Sequence, residues 1–151
     1  MEDILDLYEE PYDPKRPNLC MDERPCQLID DVLTPIPAKS GKAMKYDYEY
    51  ERKGTCCIFI ACEPLTGWRY VEVRKRRTKV DYAQFMEKVS GMFPEADTIR
   101  VVQDNLNTHT YGSFYENLSA PRAHELKNQL QFHSPNSVRI QRSRDSVVTI
   151  T

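Results

Sequence analysis

Hydrophobic and polar residues follow different periods along the chain, and these periods predict strands and helices in a definite order. Residues 18–23 form a short apolar run between Pro17 and Pro25, which predicts a strand followed by a turn. Residues 34–45 contain two prolines, a glycine and three lysines, a composition typical of a loop. In residues 46–51 tyrosines alternate with acids, so this segment predicts a strand with one aromatic and one acidic face.

Two glycines divide the next part of the chain into apolar segments. Gly54 and Gly67 predict turns, and the apolar, partly β-branched residues 55–62 between them predict a central strand. Residues 68–73 have the composition of a further strand. Together with residues 46–51, these segments predict an antiparallel meander.

A capping pattern marks the start of a helix after the meander. Thr78 is followed three residues later by Asp81, which is a capping box of the aspartate kind. Apolar side chains then recur at spacings of three and four, which predicts an amphipathic helix that ends near Gly91 to Pro94. These side chains, which we expect in the core, are Tyr82, Phe85, Met86, Val89 and Met92.

The last third of the chain adds parallel elements to the predicted sheet. The β-branched residues 98–104 predict a strand that ends in an acid. Helices are predicted at residues 112–118 and 121–131, with His124 on the surface, and a short strand at residues 130–133. The order predicts an α/β fold with a mixed sheet, in which an antiparallel strand meander is followed by helix, strand, helix and strand.

The predicted elements suggest one domain with a segment on either side. The length of 151 residues suits a single core. Residues 1–17, rich in Asp, Glu and Pro, predict an extended lead-in, and residues 18–133 hold the domain. Residues 134–151 contain no aromatic residue and predict a divergent, poorly packed tail.

Charge and cysteine content narrow the classes of function. A formal net charge of -2 excludes a wholly basic surface, so any binding of nucleic acid must rest on local patches. The five cysteines include no Cys-x-x-Cys pair, which argues against a zinc site. The amino terminus is acidic and lacks the pattern of a signal peptide, so the sequence predicts a reduced, cytoplasmic protein.

Two aspartates stand at the ends of predicted strands, and they are the first candidates for chemistry. Asp22 and Asp104 would meet if their strands were neighbours, since sites in α/β sheets gather beyond the carboxyl ends of strands. Adjacent carboxylates stay ionised most easily beside a divalent cation, and Mg²⁺ accepts one or two carboxylates with water and phosphate. The alternative is that both aspartates only form turns or cap helices.

Local strings around both aspartates resemble a known family. Residues 102–109, Val-Gln-Asp-Asn-Leu-Asn-Thr-His, resemble the second catalytic motif of mariner-type DDE transposases of bacterial insertion sequences, and residues 19–23, Leu-Cys-Met-Asp-Glu, resemble the first. The resemblance extends from about residue 9 to residue 133. It implies a ribonuclease H-like fold, DNA transposition and recombination by an endonuclease that uses Mg²⁺ or Mn²⁺, and Asp22 and Asp104 as catalytic metal ligands.

The resemblance also implies a third acidic ligand, and its pattern is not present. In the family a Trp-Leu-Asn-like helix carries that acid, whereas no tryptophan follows His133 in this chain. Asp145 lies near the expected distance from His133, but its flanks do not match the family, so we predict a degenerate site. The implied partners are transposon-end DNA and either a second copy of this chain or an intact transposase subunit. The alternatives are a non-catalytic DNA-binding or dimerising remnant, and an ordinary α/β domain without metal.

Further residues have both a functional and a plainer interpretation. Asn105, Asn107 and His109 follow Asp104, where they would orient a metal ligand or contact phosphate, or would only shape a turn. For Glu23, the pleat of the strand favours a surface role over metal binding. Basic residues of the loop and of the segment before the helix are candidates for DNA contact, although most such runs are solvated faces. The DNA-contact candidates are Lys39, Lys42, Arg76 and Arg77.

Overall fold

A five-stranded mixed sheet lies at the centre of the computed structural model, which describes residues 2–45, 47 and 49–134. The strand order is β3-β2-β1-β4-β5, with β2 antiparallel to β1 and β3, and β4 parallel to β1 and β5. The elements in chain order are α1 (Glu2–Glu9), β1 (Asn18–Asp31), β2 (Tyr50–Glu63), β3 (Trp68–Arg74), α2 (Lys79–Gly91), β4 (Ile99–Val102), α3 (Tyr111–Asn117), α4 (Ala120–Gln129) and β5 (Leu130–His133). This arrangement confirms the predicted α/β class with a mixed sheet, in which the antiparallel meander is followed by helix, strand, helices and strand.

Strand β1 is longer than the sequence predicts, and it passes through Pro25 without a turn. The strand continues to Asp31, paired with β2 over its length from Cys20 onward. On its other side it pairs with β4 only from Asn18 to Cys20. Beyond Cys20 no strand in the described part of the chain occupies that edge. A sheet edge is where a proline is tolerated in a strand, because its missing N–H removes no ladder bond there.

The turn predicted at Gly54 is wrong, because β2 is one continuous strand across this glycine. Gly54 has a φ of 130°, and the register between β1 and β2 shifts at Leu28 and Ile29 beside it. Glycine adopts this backbone conformation without steric cost, and the irregularity is a β-bulge. The antiparallel meander therefore consists of β1, β2 and β3, and Tyr50 and Glu51 of the separate strand predicted at residues 46–51 belong to the start of β2. The turn predicted at Gly67 is confirmed, with a φ of 75°.

The sequence predicts an extended amino-terminal segment, but the structure has helix α1 there. Leu7 of this helix is 5% exposed, and its carbonyl accepts a hydrogen bond of 2.9 Å from Asn18 Nδ2 at the start of β1. The hydroxyl of Tyr8 lies 2.7 Å from Cys20 Sγ. These contacts hold α1 against the end of β1. They join residues 11 to 12 positions apart, which local composition does not reveal.

Helices α2, α3 and α4 cover one face of the sheet, and the hydrophobic core lies between these helices and that face. The capping box predicted for α2 is present, with Thr78 and Asp81 exchanging hydrogen bonds. His124 is exposed on α4, as predicted. The predicted core positions Tyr82, Phe85, Met86 and Val89 are buried, whereas Met92 is 42% exposed just after α2. Of the helices in the described residues, none is long and apolar enough to cross a membrane.

Glu72 of β3 is an ionic anchor between the sheet and α2. Its carboxylate accepts hydrogen bonds from Tyr70 Oη at 2.5 Å, Arg74 Nη2 at 2.6 Å and Lys88 Nζ at 2.5 Å. Burial alone would raise the pKa of Glu72, but hydrogen bonds from Lys88, Tyr70 and Arg74 outweigh it and lower the pKa to about 2. The anchor is therefore charged at all but strongly acidic pH.

We expect Glu72→Gln to lower the free energy of unfolding by about 1–3 kcal/mol at neutral pH, because charge-assisted hydrogen bonds are lost. A lowered folded-state pKa stabilises the protein above the unfolded-state pKa, and this contribution disappears as pH falls towards 2. The difference between parent and variant should thus shrink below about pH 4.5. Urea denaturation across pH measures it, with the exposed Glu51→Gln as control. A difference that grows on acidification would contradict the prediction.

Candidate metal centre and its buried support

Asp22 and Asp104 occupy matching positions beyond the last paired residues of two adjacent parallel strands. The last residue pair between β1 and β4 joins Cys20 to Val102. Asp22 lies two residues beyond Cys20, and Asp104 lies two residues beyond Val102. Neighbouring strands are about 4.8 Å apart. The fold therefore directs two chain segments that carry carboxylates to the same end of the sheet.

Asp22 faces away from the core helices. Its neighbours Met21 and Glu23 are 4% and 8% exposed on the core face of β1, so the pleat turns Asp22 to the opposite face, where it is exposed. One of its carboxylate oxygens accepts a hydrogen bond of 2.8 Å from the N–H of Glu23. The carboxylate is thus accessible to solvent and to a bound ion.

Asp104 is half-exposed and is held by a buried histidine. Its side chain is 54% exposed, and Oδ1 lies 2.6 Å from Nδ1 of His109, whose side chain is 1% exposed. The same ring nitrogen lies 3.3 Å from the Asp104 carbonyl oxygen. The turn after β4 therefore folds back and places Nδ1 of His109 in contact with both the carboxylate and the backbone carbonyl of Asp104.

Glu23 is the residue that sequence reasoning placed wrongly. A surface role was predicted, yet its side chain is 1% exposed and lies on the core face. Its Oε1 lies 2.9 Å from Nε2 of His109, and its Oε2 lies 3.5 Å from Nε of Arg77. The alternation of the strand does separate Glu23 from Asp22. The helices that cover the Glu23 face, however, belong to distant sequence, so local pattern gives no sign of its burial.

The contacts of Glu23, His109 and Asp104 form one continuous line, named here the Glu23–His109–Asp104 chain. Burial alone would lower the pKa of His109, but the hydrogen bond and charge of Glu23, with contacts to Asp104, outweigh it and raise the pKa. Both ring nitrogens of His109 face carboxylate oxygens, and this neighbouring negative charge favours the protonated form of the ring.

The ring of His109 is also fixed from the side of the core. It stacks on Tyr82 with ring centroids 4.7 Å apart. The Tyr82 hydroxyl donates a 2.8 Å hydrogen bond to Gln103 Oε1, and Gln103 Nε2 donates one of 3.3 Å to the carbonyl of His109. The residue before Asp104 and the histidine that grips it are thus tied to the same core tyrosine.

The remaining candidate residues are spread over several places in the fold. Arg77 and Asn107, with Leu106 and Thr108, line a cavity of about 200 Å³ beside the Glu23–His109–Asp104 chain. Lys39 and Lys42 belong to the loop between β1 and β2, where their backbones pair across a turn. The structure therefore brings Arg77 and Asn107 together. Asn105 and Arg76 are exposed on the segments that follow β4 and β3.

The donor set fits a divalent cation only as a pair of carboxylates. Within the part of the chain that the structure describes, no group of three or more His, Cys, Asp and Glu side chains is arranged to hold a metal. Two carboxylates agree with the preference of Mg²⁺ for few protein ligands, water and phosphate oxygens. Asp145, the one acid after Glu125 that could serve as a third ligand, lies outside the described residues. The five cysteines are free thiols.

Comparison with known proteins identifies the family. The model of the DDE superfamily endonuclease family matches residues 17–134, which include the whole sheet and both aspartates. The chain therefore belongs to the DDE superfamily endonucleases. Curated protein sequences give no match.

Solved structures that resemble the chain include two retroviral assemblies. One is the simian T-cell lymphotropic virus intasome in complex with PP2A regulatory subunit B56 gamma, at 10% identity and a TM-score of 0.47 over 90% of this chain. Another is the HTLV-2 integrase catalytic core domain with magnesium in its dimeric form, at 12% identity and a TM-score of 0.45 over 85% of this chain. The matches cover 41% and 64%, respectively, of those chains.

Proposed function

We propose that this chain is the catalytic domain of a transposase, which cuts and joins DNA strands by divalent-metal phosphodiester chemistry. The observation that carries the proposal is the matched placement of Asp22 and Asp104 beyond the last pair of two adjacent parallel strands. Membership of the DDE superfamily endonucleases supports the same chemistry. The resemblance of residues 102–109 to a mariner-type motif favours an insertion-sequence transposase.

In this proposal Asp22 and Asp104 hold Mg²⁺ or Mn²⁺. The cation supplies activation of the attacking oxygen and stabilisation of the leaving oxygen when it is bound. The protein supplies two accessible carboxylates, and His109 fixes the second of them. Arg77, whose side chain is 43% exposed at the rim of the neighbouring cavity, is placed to contact a DNA phosphate.

The proposed division of the chain and its partners follow from the family. Residues 18–133 form the catalytic domain, which agrees closely with the family match at residues 17–134. Residues 1–17 and 134–151 flank it. The proposed partners are transposon-end DNA and a second copy of the chain or an intact transposase subunit, with function in the cytoplasm.

A second candidate is a remnant that binds DNA or dimerises without catalysis. Two acids without a third in the described residues 2–45, 47 and 49–134 favour it. Such a remnant would retain the fold and the basic contacts while lacking the full ligand set. Strand cleavage distinguishes the two candidates.

We expect Mn²⁺ to raise the melting temperature of the parent protein, and Asp22→Asn or Asp104→Asn to remove most of that rise. At a metal concentration one hundred times the dissociation constant, binding stabilises the folded state by about 2.7 kcal/mol. Thermal melts with and without Mn²⁺ measure the effect. Asp30→Asn is the matched control, because Asp30 is also an exposed aspartate of β1 that accepts its neighbour's N–H, at 3.0 Å.

The outcomes separate the candidates. No rise in the parent would remove the metal site, and a rise that survives both substitutions would place it elsewhere. A plasmid-nicking assay with Mg²⁺ or Mn²⁺ then tests catalysis. Metal-dependent nicking that Asp104→Asn abolishes supports the transposase, whereas metal binding without nicking supports the remnant.

A further inference from the structure

A buried carboxylate beside the candidate metal ligands has no part in the proposed metal chemistry. Glu23 follows Asp22 directly, but its side chain is 1% exposed on the opposite face of β1. Removing a carboxylate from water costs several kcal/mol unless charged partners compensate it. A glutamate at this position therefore depends on the partners that the fold brings to it, and the nearest is His109.

His109 connects this buried carboxylate to a candidate ligand with no intervening group. Its Nε2 lies 2.9 Å from Glu23 Oε1, and its Nδ1 lies 2.6 Å from Asp104 Oδ1. The imidazole is rigid, so the two contacts define the direction of the ring and hence the position of the Asp104 oxygen. Stacking on Tyr82 restricts rotation of the ring about its own axis. A shift of Glu23 must therefore reach Asp104.

We propose that Glu23 is a positioning residue, which fixes His109 and through it presents Asp104 to the divalent cation in a single orientation. The inference rests on the proposed function, because Asp104 is a metal ligand only within it. Groups that hydrogen-bond to metal ligands without touching the metal set the ligand's orientation. Glu23 does so at one remove, with its carboxylate anchored in the core rather than in solvent.

Arg77 contacts the other oxygen of the same carboxylate. Its Nε lies 3.5 Å from Glu23 Oε2, and the arginine also lines the cavity next to Asn107 and Thr108. Glu23 is thus held between a core-facing histidine and a half-exposed arginine. Oε2 accepts no hydrogen bond from the described residues, so Arg77 is only an ionic neighbour and His109 is the partner that fixes the carboxylate of Glu23.

The test is the affinity for Mn²⁺, measured by electron paramagnetic resonance on the full chain. Glu23→Gln should weaken Mn²⁺ binding at least about tenfold. The matched control is Glu63→Gln, since Glu63 is also a buried glutamate on the core face of the sheet, where it instead accepts hydrogen bonds from the turn at Leu65 and Thr66. The control should change Mn²⁺ affinity less than about twofold, because its contacts do not reach Asp104.

A double-mutant cycle separates positioning from general loosening of the structure. If Glu23 acts through His109, Glu23→Gln should weaken Mn²⁺ binding in the parent and add nothing in a His109→Ala background, where the link to Asp104 is already broken. Near-ultraviolet circular dichroism confirms the fold of each variant. If Glu23→Gln does not fold, Glu23→Asp takes its place, because it keeps the charge and withdraws the carboxylate from His109.

The possible results assign failure to the correct proposal. A parent that binds no Mn²⁺ overturns the proposed metal site and this inference with it. A parent that binds Mn²⁺ together with a folded Glu23→Gln variant of unchanged affinity overturns only the role of Glu23. Equal losses in Glu23→Gln and Glu63→Gln, or an undiminished loss in the His109→Ala background, also overturn that role.

Discussion

Replacing Tyr82 with alanine is expected to lower the free energy of unfolding by about 3–5 kcal/mol, a large part of the stability of a domain of this size. Tyr82 is 0% exposed on α2, and its ring stacks on both His109 and Phe114. Its removal leaves a cavity between the helices and the sheet. It also takes away the hydroxyl that donates to Gln103.

Two further variants resolve the contributions of the ring and the hydroxyl. Tyr82→Phe keeps the ring and should cost about 1–2 kcal/mol, because the buried amide oxygen of Gln103 loses its donor. Tyr115→Ala is the control, since this tyrosine is also helical but 45% exposed. Urea denaturation measures all three. A loss as large in Tyr115→Ala as in Tyr82→Ala would show that burial does not determine the cost.

Replacing His109 with alanine is expected to destabilise the protein by about 3–5 kcal/mol, because it leaves the buried carboxylate of Glu23 without the ring to which it is hydrogen-bonded. Arg77, at 3.5 Å and 43% exposed, remains as the other charged neighbour. The double variant Glu23→Gln with His109→Ala removes the negative charge of the buried Glu23 carboxylate. It should therefore be about 1–3 kcal/mol more stable than His109→Ala alone.

Urea denaturation at neutral pH measures this recovery, and His124→Ala is the matched control. His124 is exposed on α4, so its loss should change the free energy of unfolding by no more than about 0.5 kcal/mol. The recovery is the decisive quantity. If the double variant were no more stable than His109→Ala, the cost would come from lost packing of the ring and not from a stranded charge.

The sequence predicted correctly those elements that are determined by residues close together in the chain, such as α2. The capping box of α2 involves Thr78 and Asp81, which are only three residues apart. The spacing of apolar residues along α2 likewise indicates the face of the helix that packs on the sheet. The extent of β1 and β2 depends instead on pairing between distant strands. Because of that pairing, β1 continues through Pro25 and β2 continues through Gly54. The local sequence at both residues instead predicts a turn.

The same distinction applies to the site. Asp22 and Asp104 stand out in the sequence because each follows an apolar run and has a recognisable flanking motif, and their role as metal ligands stays a prediction. The burial of Glu23 could not, since it depends on which face of β1 the helices cover. His109 was predicted as a residue that orients a ligand, and its contact with Asp104 is consistent with that prediction. Its link to Glu23 joins residues 86 positions apart and leaves no trace in either local pattern.

The parallel pairing of β1 and β4 extends over only three residue pairs, from Asn18 to Cys20. The long antiparallel pairing of β1 with β2 lies on one side of this seam, and β4 with β5 lies on the other. Asp22 and Asp104 stand on opposite sides of it. A cation held by both aspartates would act as a cross-link across the narrowest junction of the sheet. Metal binding at the proposed site therefore also strengthens the connection between the two halves of the sheet.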